Sequence, residues 1–128
     1  MEQRGIAVDA RLVQGIGTSR EQAYHATETL MTLDEPPSAI FAASDLAAIS
    51  AIWAARDAGR RVPEDIAIIG VGNVPEGLIM RPPLTTVGPS DLDFRFIGEL
   101  LFSRLHGEAP REGRVVDHGS TLILRGSA

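Results

Sequence analysis

This chain of 128 residues has a formal net charge of −5 at pH 7 and no cysteine, which excludes disulfides and thiolate metal sites. Hydrophobic residues make up 44% of the chain and charged residues 23%, close to the average for globular domains, which argues against a disordered chain. The sequence has no basic stripe of the kind that nucleic-acid binders use, and no apolar run long enough to span a bilayer.

The first third of the chain predicts a strand followed by a helix. Residues 11–16 form a mostly apolar run that favours a strand of moderate strength. Thr18 and Glu21 have the spacing of a capping box, in which each side chain bonds the backbone amide of the other residue. We therefore expect a helix that begins at this point and continues to about Leu33.

The middle of the chain predicts two buried strands separated by a helix. Residues 39–43 are apolar without polar alternation, which is typical of a strand that is buried on both faces of a parallel sheet. Either Ser44 or Asp45 could cap the following helix, which we expect over residues 46–58. Residues 66–71 form the strongest strand pattern in the chain.

The last third continues this alternation. A short turn or helix, a strand, a helix and two extended segments are expected at residues 78–81, 84–87, 91–105, 115–117 and 121–124, respectively. Strands that alternate with helices in this way predict βαβ units, and therefore an α/β domain with a mainly parallel sheet.

Four polar residues follow the predicted strands at the edge where α/β sheets bind ligands: Thr18, Ser44, Asp45 and Asn73. Free amides at helix N-termini favour oxygen-rich or anionic groups there, and the two carboxylate oxygens of Asp45 suit ligand hydroxyls. The alternative is that Thr18, Ser44 and Asp45 serve only as helix caps, and that Asn73 only stabilises a turn.

Residue types common in enzymes and metal sites form no recognisable pattern. His25, His106 and His118 are scattered without metal-ligand spacing. The two Gly-x-Gly segments, at 15–17 and 70–72, lack the remaining residues of phosphate-binding motifs and indicate turns. No serine has the setting of a hydrolase nucleophile. The sequence therefore predicts no enzyme, no cofactor and no metal.

Four segments of the chain resemble transcription regulators of the LacI/GalR family. Residues 37–48, PSAIFAASDLAA, are similar to the family segment P-T-A-I-F-A-A-N-D-x-x-A, and residues 59–70, GRRVPEDIAIIG, are similar to G-x-x-V-P-x-D-I-x-V-I-G. Residues 82–87 match P-P-L-T-T-V, and residues 122–127, LILRGS, resemble L-V-x-R-x-S. The order and spacing of these segments agree with the family over nearly the whole chain.

The resemblance implies a three-layer α-β-α fold of the type I periplasmic-binding-protein kind, in which two lobes close on a small effector. Residues 1–87 would form most of the C-terminal lobe, residues 91–106 a helix of the N-terminal lobe, and residues 114–128 a crossover and the final strand. The family's helix-turn-helix headpiece, most of its first lobe, and the opening strand and helix of its second lobe have no counterpart in this sequence, so we expect an incomplete lobe.

Five positions are implied as effector contacts by the same resemblance. Asp45 and Asn73 match the family's residues. Ser44 stands where asparagine is common, Thr18 where an aromatic residue often covers the ligand, and Gly72 where an acidic residue binds effector hydroxyls. The last three positions are departures from the family's pattern.

The resemblance further implies a homodimer, with Ile49 and Trp53 on one helix and Leu78 and Met80 in a loop at the interface. The alternative is that these residues are ordinary core. With no secretory-signal pattern at its start, we expect a cytoplasmic, non-enzymatic protein. It would sense a sugar- or nucleoside-like molecule and reach DNA only through a headpiece, with no membrane partner. The other possibilities are a fragment of a periplasmic sugar-binding protein and a small flavodoxin-like enzyme that handles phosphates.

Overall fold

A four-stranded sheet organises the residues that the computed structural model describes, which are 5, 7–14, 19–90, 93, 95–113, 115–117 and 119–128. The strands are β1 (Ala39–Phe41), β2 (Ala67–Val71), β3 (Thr85–Gly88) and β4 (Thr121–Ile123), in that spatial order. β1, β2 and β3 are mutually parallel, whereas β4 is antiparallel to β3. The predicted α/β class with a mainly parallel sheet is thus confirmed.

Four α-helices of the described residues accompany the strands. They are α1 (Arg20–Met31), α2 (Asp45–Asp57), α3 (Glu76–Ile79) and α4 (Arg95–Leu105). Two of them, α2 and α3, connect parallel neighbours. α1 packs against α2, and α2 packs against β2, so α2 lies between α1 and the sheet strand that it covers. All residues of α4 are described and none is buried. None of the described helices is both long and apolar enough to cross a membrane.

The hydrophobic core lies between α2 and the sheet. It is made of apolar side chains that are almost fully shielded from solvent: Ala48, Ile49, Ala51, Ile52, Ala55, Val62, Ile66, Ile68 and Leu84. The members on α2 recur at helical spacing, as an amphipathic helix requires. Each large aliphatic side chain of this set contributes about 1.5–3 kcal/mol through burial, and α2 supplies two of them, Ile49 and Ile52.

The N-terminal cap of α1 lies one residue later than predicted. Ser19, not Thr18, is the cap: its Oγ accepts from the amide of Gln22 at 3.1 Å, and Oε1 of Gln22 accepts from the amide of Ser19 at 3.3 Å. A threonine and a serine stand side by side here, and both can cap, so the spacing alone did not separate the two registers. Thr18 itself lies outside the described residues.

The strand predicted over residues 11–16 is wrong for the described part of that range. Ala10–Leu12 forms a single 3-10 turn instead. Oδ1 of Asp9 accepts from the amide of Arg11 at 2.9 Å, and the Arg11 guanidinium pairs with the same carboxylate. This local cap satisfies the backbone of an exposed segment without any sheet partner.

β1 is not buried on both faces, contrary to the sequence-based expectation. Ile40 packs against the core, whereas Phe41 on the opposite face is 69% exposed. β1 lies at the edge of the sheet, where it pairs with β2 alone among the described strands. Residues 115–117 also form no strand, while β4 begins at Thr121 as predicted.

Candidate functional site

The carboxyl ends of β1 and β2 each lead into a pair of residues in which an exposed residue precedes a buried one. After β1 the pair is Ser44 and Asp45, and after β2 it is Gly72 and Asn73. Asp45 is only 1% exposed and Asn73 only 6% exposed. A Cβ added to Gly72 would lie 3.7 Å from Oδ2 of Asp45, so the two strand ends are adjacent. We call Ser44, Asp45, Gly72 and Asn73 the strand-end rim.

Ser44 is the exposed member of the first pair and the N-terminal cap of α2. Its Oγ accepts from the amide of Ala47 at 3.2 Å. The hydroxyl proton and one lone pair of Ser44 remain available on the surface, because a serine Oγ has one donor and two acceptor positions. Capping therefore leaves Ser44 able to bind a ligand group.

Asp45 is a buried carboxylate whose two oxygens both accept hydrogen bonds from the protein. Oδ1 accepts from the hydroxyl of Thr86 at 2.5 Å, and Oδ2 accepts from the amide of Val74 at 2.7 Å. Its position in the first turn of α2 places the negative charge at the positive end of the helix dipole. A side chain at Gly70 would collide with this carboxylate, since an added Cβ would lie 2.3 Å from Oδ1. Gly70 is therefore the residue that makes room for Asp45.

Asn73 is held from three directions in a left-handed backbone conformation, with φ of 55°. Its Nδ2 donates to the carbonyl of Pro89 at 2.8 Å, and its Oδ1 accepts from Nη2 of Arg125 at 2.5 Å. Its backbone amide donates to the Oγ1 of Thr86 at 3.3 Å. Asparagine tolerates this conformation better than most residues, because its short polar side chain bonds locally.

Thr86 and Arg125, which were not among the predicted site residues, connect the two pairs to the rest of the sheet. Thr86 lies on β3, is fully buried, and bonds both Asp45 and Asn73. The guanidinium of Arg125 also donates to the carbonyl of Leu84 at 2.9 Å. The available signal was the pair of threonines in an apolar strand, because a buried hydroxyl needs a partner within the protein.

The segment around Ser127 bonds two neighbouring strands of the sheet. Ser127 is fully buried, and its Oγ donates to the carbonyl of Ile68 at 2.6 Å and accepts from the amide of Thr85 at 2.9 Å. The carbonyl of Ser127 accepts from the amide of Ile68 at 2.7 Å. Ser127 thus bridges β2 and the start of β3, below the point where those strands pair with each other.

The residues predicted at a dimer interface occupy different environments. Ile49 is 3% exposed and belongs to the core, and Met80 is half-buried against that core. Trp53 is 45% exposed and Leu78 is 54% exposed. The guanidinium of Arg20 lies over the Trp53 ring, 4.9 Å from its centroid. Trp53 and Leu78 are therefore the two that present apolar surface.

The described part of the chain contains no group of three or more His, Cys, Asp or Glu side chains that could hold a metal ion. The rim offers a hydroxyl, backbone groups at an exposed glycine, and the N-terminus of α2. Such groups bind neutral hydroxylated molecules or anions through hydrogen bonds.

Comparison with protein families matches residues 1–128 to a periplasmic binding protein-like domain. The HTH-type transcriptional repressor PurR of Pasteurella multocida is 33% identical over 129 residues, which cover 99% of this chain and 38% of that protein. The HTH-type transcriptional repressor CytR of Escherichia coli is 34% identical over 125 residues, covering 96% of this chain and 36% of that protein. The chain thus spans less than two fifths of these relatives.

Solved structures of LacI-type regulators share the fold. A transcriptional regulator CelR–cellobiose complex has a TM-score of 0.83 and 32% identity, covering 99% of this chain and 39% of that one. A LacI-type transcription regulator from Bifidobacterium animalis subsp. lactis has a TM-score of 0.87 and 30% identity, covering 98% of this chain and 45% of that one. A LacI family regulator from Lactobacillus casei with bound glucose has a TM-score of 0.82 and 25% identity, covering 100% of this chain and 46% of that one.

Proposed function

The chain belongs to the periplasmic binding protein-like domain family of LacI-type transcription regulators, and on that premise we propose that it is the effector-sensing and dimerising portion of such a regulator. The effector is a small hydroxylated molecule of the sugar or nucleoside class, bound at the strand-end rim. A DNA-binding headpiece elsewhere in the whole protein, in the cytoplasm, converts effector binding into altered transcription. The observation that carries this proposal is the rim itself, with two exposed residues held by two buried ones.

Several features of the rim support an uncharged, hydroxyl-rich effector. Ser44 offers a hydroxyl, and Gly72 exposes backbone that a ligand can approach closely because no side chain intervenes. Similar regulators have been solved with cellobiose and with glucose bound. Asp45 and Asn73 are almost fully buried and already bonded within the protein, so we assign these two residues mainly an anchoring role. Thr18 stays a predicted contact.

The division of the chain into parts follows from the same proposal. The proposal assigns residues 1–87 to most of the C-terminal lobe and the segment 91–106, whose described helix is α4, to the N-terminal lobe. Residues 114–128 are assigned to the returning crossover and final strand. α4 supports this division, because its large apolar side chains Ile97, Leu101 and Phe102 are all more than half exposed and need a covering surface.

Dimerisation through the α2 side is the second part of the proposal. Trp53 on α2 and Leu78 on α3 contribute exposed apolar area, and Ile49 and Met80 are assigned to support this surface from within. Sedimentation velocity tests this with Trp53→Glu, which should lower the sedimentation coefficient at a concentration where the unaltered chain self-associates. Phe41→Glu is the matched control, since it adds the same charge at an exposed aromatic residue that lies on β1 rather than on α2. Equal effects of both variants would contradict the assignment.

Effector binding is tested by following backbone amide resonances of the 128-residue chain while cellobiose, glucose or adenosine is added. Since this chain supplies one side of a two-lobed site, we expect affinities of about 1 mM, equivalent to roughly −4 kcal/mol. The amides that move should be those of residues 44–47 and 72–74. Failure of all three compounds to move these amides would count against the proposal.

A gain-of-binding variant sharpens this test. Ser44→Asn keeps the cap of α2, because serine and asparagine cap about equally well, and adds an amide that both donates and accepts. It should bind the responding compound more tightly than the unaltered chain. Ser38→Asn is the control, because Ser38 is exposed and lies before β1, at the opposite edge of the sheet. Improved binding by the control alone would place the site elsewhere.

A further inference from the structure

We propose that Thr86 is a positioning residue for the strand-end rim, and that its single hydroxyl fixes the two strand ends relative to each other. The inference rests on the proposed function, because it concerns the same rim. Thr86 is fully buried on β3 and has no exposed surface with which to bind an effector itself. Its influence on binding must therefore act through Asp45 and Asn73.

The geometry uses the hydroxyl of Thr86 both as a donor and as an acceptor. Oγ1 of Thr86 donates its proton to Oδ1 of Asp45 at 2.5 Å and accepts from the amide of Asn73 at 3.3 Å. Asp45 directly follows Ser44, and Asn73 directly follows Gly72. The hydroxyl thus joins the residue behind each exposed rim position, and through them it sets the spacing of the surface that an effector would meet.

The second oxygen of Asp45, Oδ2, also bonds the loop after β2. It accepts from the amide of Val74, the residue after Asn73, at 2.7 Å. Without the Thr86 donor, the carboxylate would be buried with one oxygen unsatisfied, and it would gain by rotating or by drawing in water. Either response moves the first turn of α2 and the loop after β2 together.

The neighbouring threonine provides an internal comparison. Thr85 is equally buried, but its Oγ1 accepts from the amide of Arg125 at 2.9 Å and bonds the tail rather than the rim. Adjacent residues of a strand point to opposite faces, so Thr85 and Thr86 serve different sides of the sheet. A purely structural requirement for a buried hydroxyl would make the two positions equivalent.

The experiment compares Thr86→Val, Thr86→Ser and Thr85→Val in the 128-residue chain without added compound. Valine keeps the shape of threonine and removes both bonds. In Thr86→Val we expect displaced amide resonances at residues 44–47 and 72–74, and hydrogen exchange at the Val74 amide that is about tenfold faster relative to α2 interior amides. Thr86→Ser should restore both observables, and Thr85→Val should change neither. Equal behaviour of Thr86→Val and Thr85→Val would overturn the proposal.

A milder pair covers the case in which Thr86→Val does not fold. Thr86→Cys and Thr85→Cys retain a side chain of similar size with only a weak donor, and the same amide comparison then decides. A second measurement determines the Kd of the unaltered chain and of the Thr86 variants for cellobiose, glucose and adenosine. If the unaltered chain binds none of them, the proposed function fails while the amide comparison still decides the role of Thr86. If it binds one, an unchanged Kd in a folded Thr86 variant would overturn the positioning role.

Discussion

The Nη2 of Arg125 donates to the Oδ1 of Asn73 at 2.5 Å, a contact between residues 52 positions apart in the chain. This bond joins the segment after β4 to the loop after β2. Because Nδ2 of Asn73 also donates to the carbonyl of Pro89, the same side chain holds the segment that leaves β3. Asn73 therefore ties together the outgoing and the returning chain at the edge of the sheet.

Loss of the Arg125 guanidinium should destabilise the protein measurably. Arg125→Met leaves Oδ1 of Asn73 and the carbonyl of Leu84 without this donor, so we expect the free energy of unfolding to fall by about 1–3 kcal/mol. Urea denaturation followed by circular dichroism measures the change. Arg104→Met is the control: Arg104 also donates to backbone carbonyls, of Pro110 and Arg111, but it is exposed and should matter less. Equal losses in both variants would contradict this role of Arg125.

Replacing Gly72 should destabilise the protein because of its backbone conformation, and not because neighbouring atoms crowd it. Its φ is 130°, a value that side chains rarely allow, and the nearest atoms to an added Cβ are at the ordinary distance of 3.7 Å. Gly72→Ala should therefore lower the free energy of unfolding by about 1–3 kcal/mol through strain alone. Gly98→Ala, within α4 and with open space around it, should cause no loss. A Gly72→Ala variant as stable as the parent would show that the loop relaxes.

The core between α2 and the sheet predicts that truncating a buried aliphatic side chain lowers the free energy of unfolding far more than truncating an exposed one. Ile52 is fully buried, so Ile52→Ala should cost about 2–5 kcal/mol in free energy of unfolding. Leu101 on α4 is 57% exposed, and Leu101→Ala should change stability by less than about 0.5 kcal/mol. Thermal unfolding of both variants tests the pair. A comparable cost at Leu101 would mean that α4 packs more firmly than its exposure indicates.

The Arg61–Asp65 pair predicts a specific acid response. The guanidinium of Arg61, and then its backbone amide, lower the pKa of Asp65 from 3.8 to about 2. A carboxyl with a lowered folded-state pKa stabilises the fold above its unfolded pKa, and this contribution is lost as the pH falls from about 3.8 through about 2.

An NMR titration of the Asp65 carboxyl checks this response. The midpoint should lie near 2 in the unaltered chain and rise towards 3.8 in Arg61→Met. Arg111→Met, at another exposed arginine, should leave the midpoint unchanged. A midpoint close to the ordinary value in the unaltered chain would show that the ion pair does not persist in solution.

The elements that sequence could predict are those whose signals are local. The apolar run of β2, the helical periodicity of α2 and the turn before β3 each lie within a short stretch, and each was found within one or two residues of its observed bounds. The exposure of Phe41 was not predictable in the same way, because it depends on which helices cover the two faces of β1 rather than on the composition of β1.

The rim was predicted only in part for a similar reason. Placing Ser44, Asp45 and Asn73 at strand ends required only the order of strands and helices. Their division into exposed and buried members depends on Thr86, which bonds Asp45 across 41 positions of the chain. Such a contact exists only once β3 has taken its place beside β2, and no local pattern encodes it.

The bridge that Ser127 makes to Ile68 has a consequence for how the domain reaches its native state. The two residues are 59 positions apart, whereas α1 and α2 are separated by a short connection. Closing a long loop costs more entropy than closing a short one, and such contacts slow folding. We therefore expect the α1–α2 pair to assemble early and the docking of the last segment to complete the sheet later.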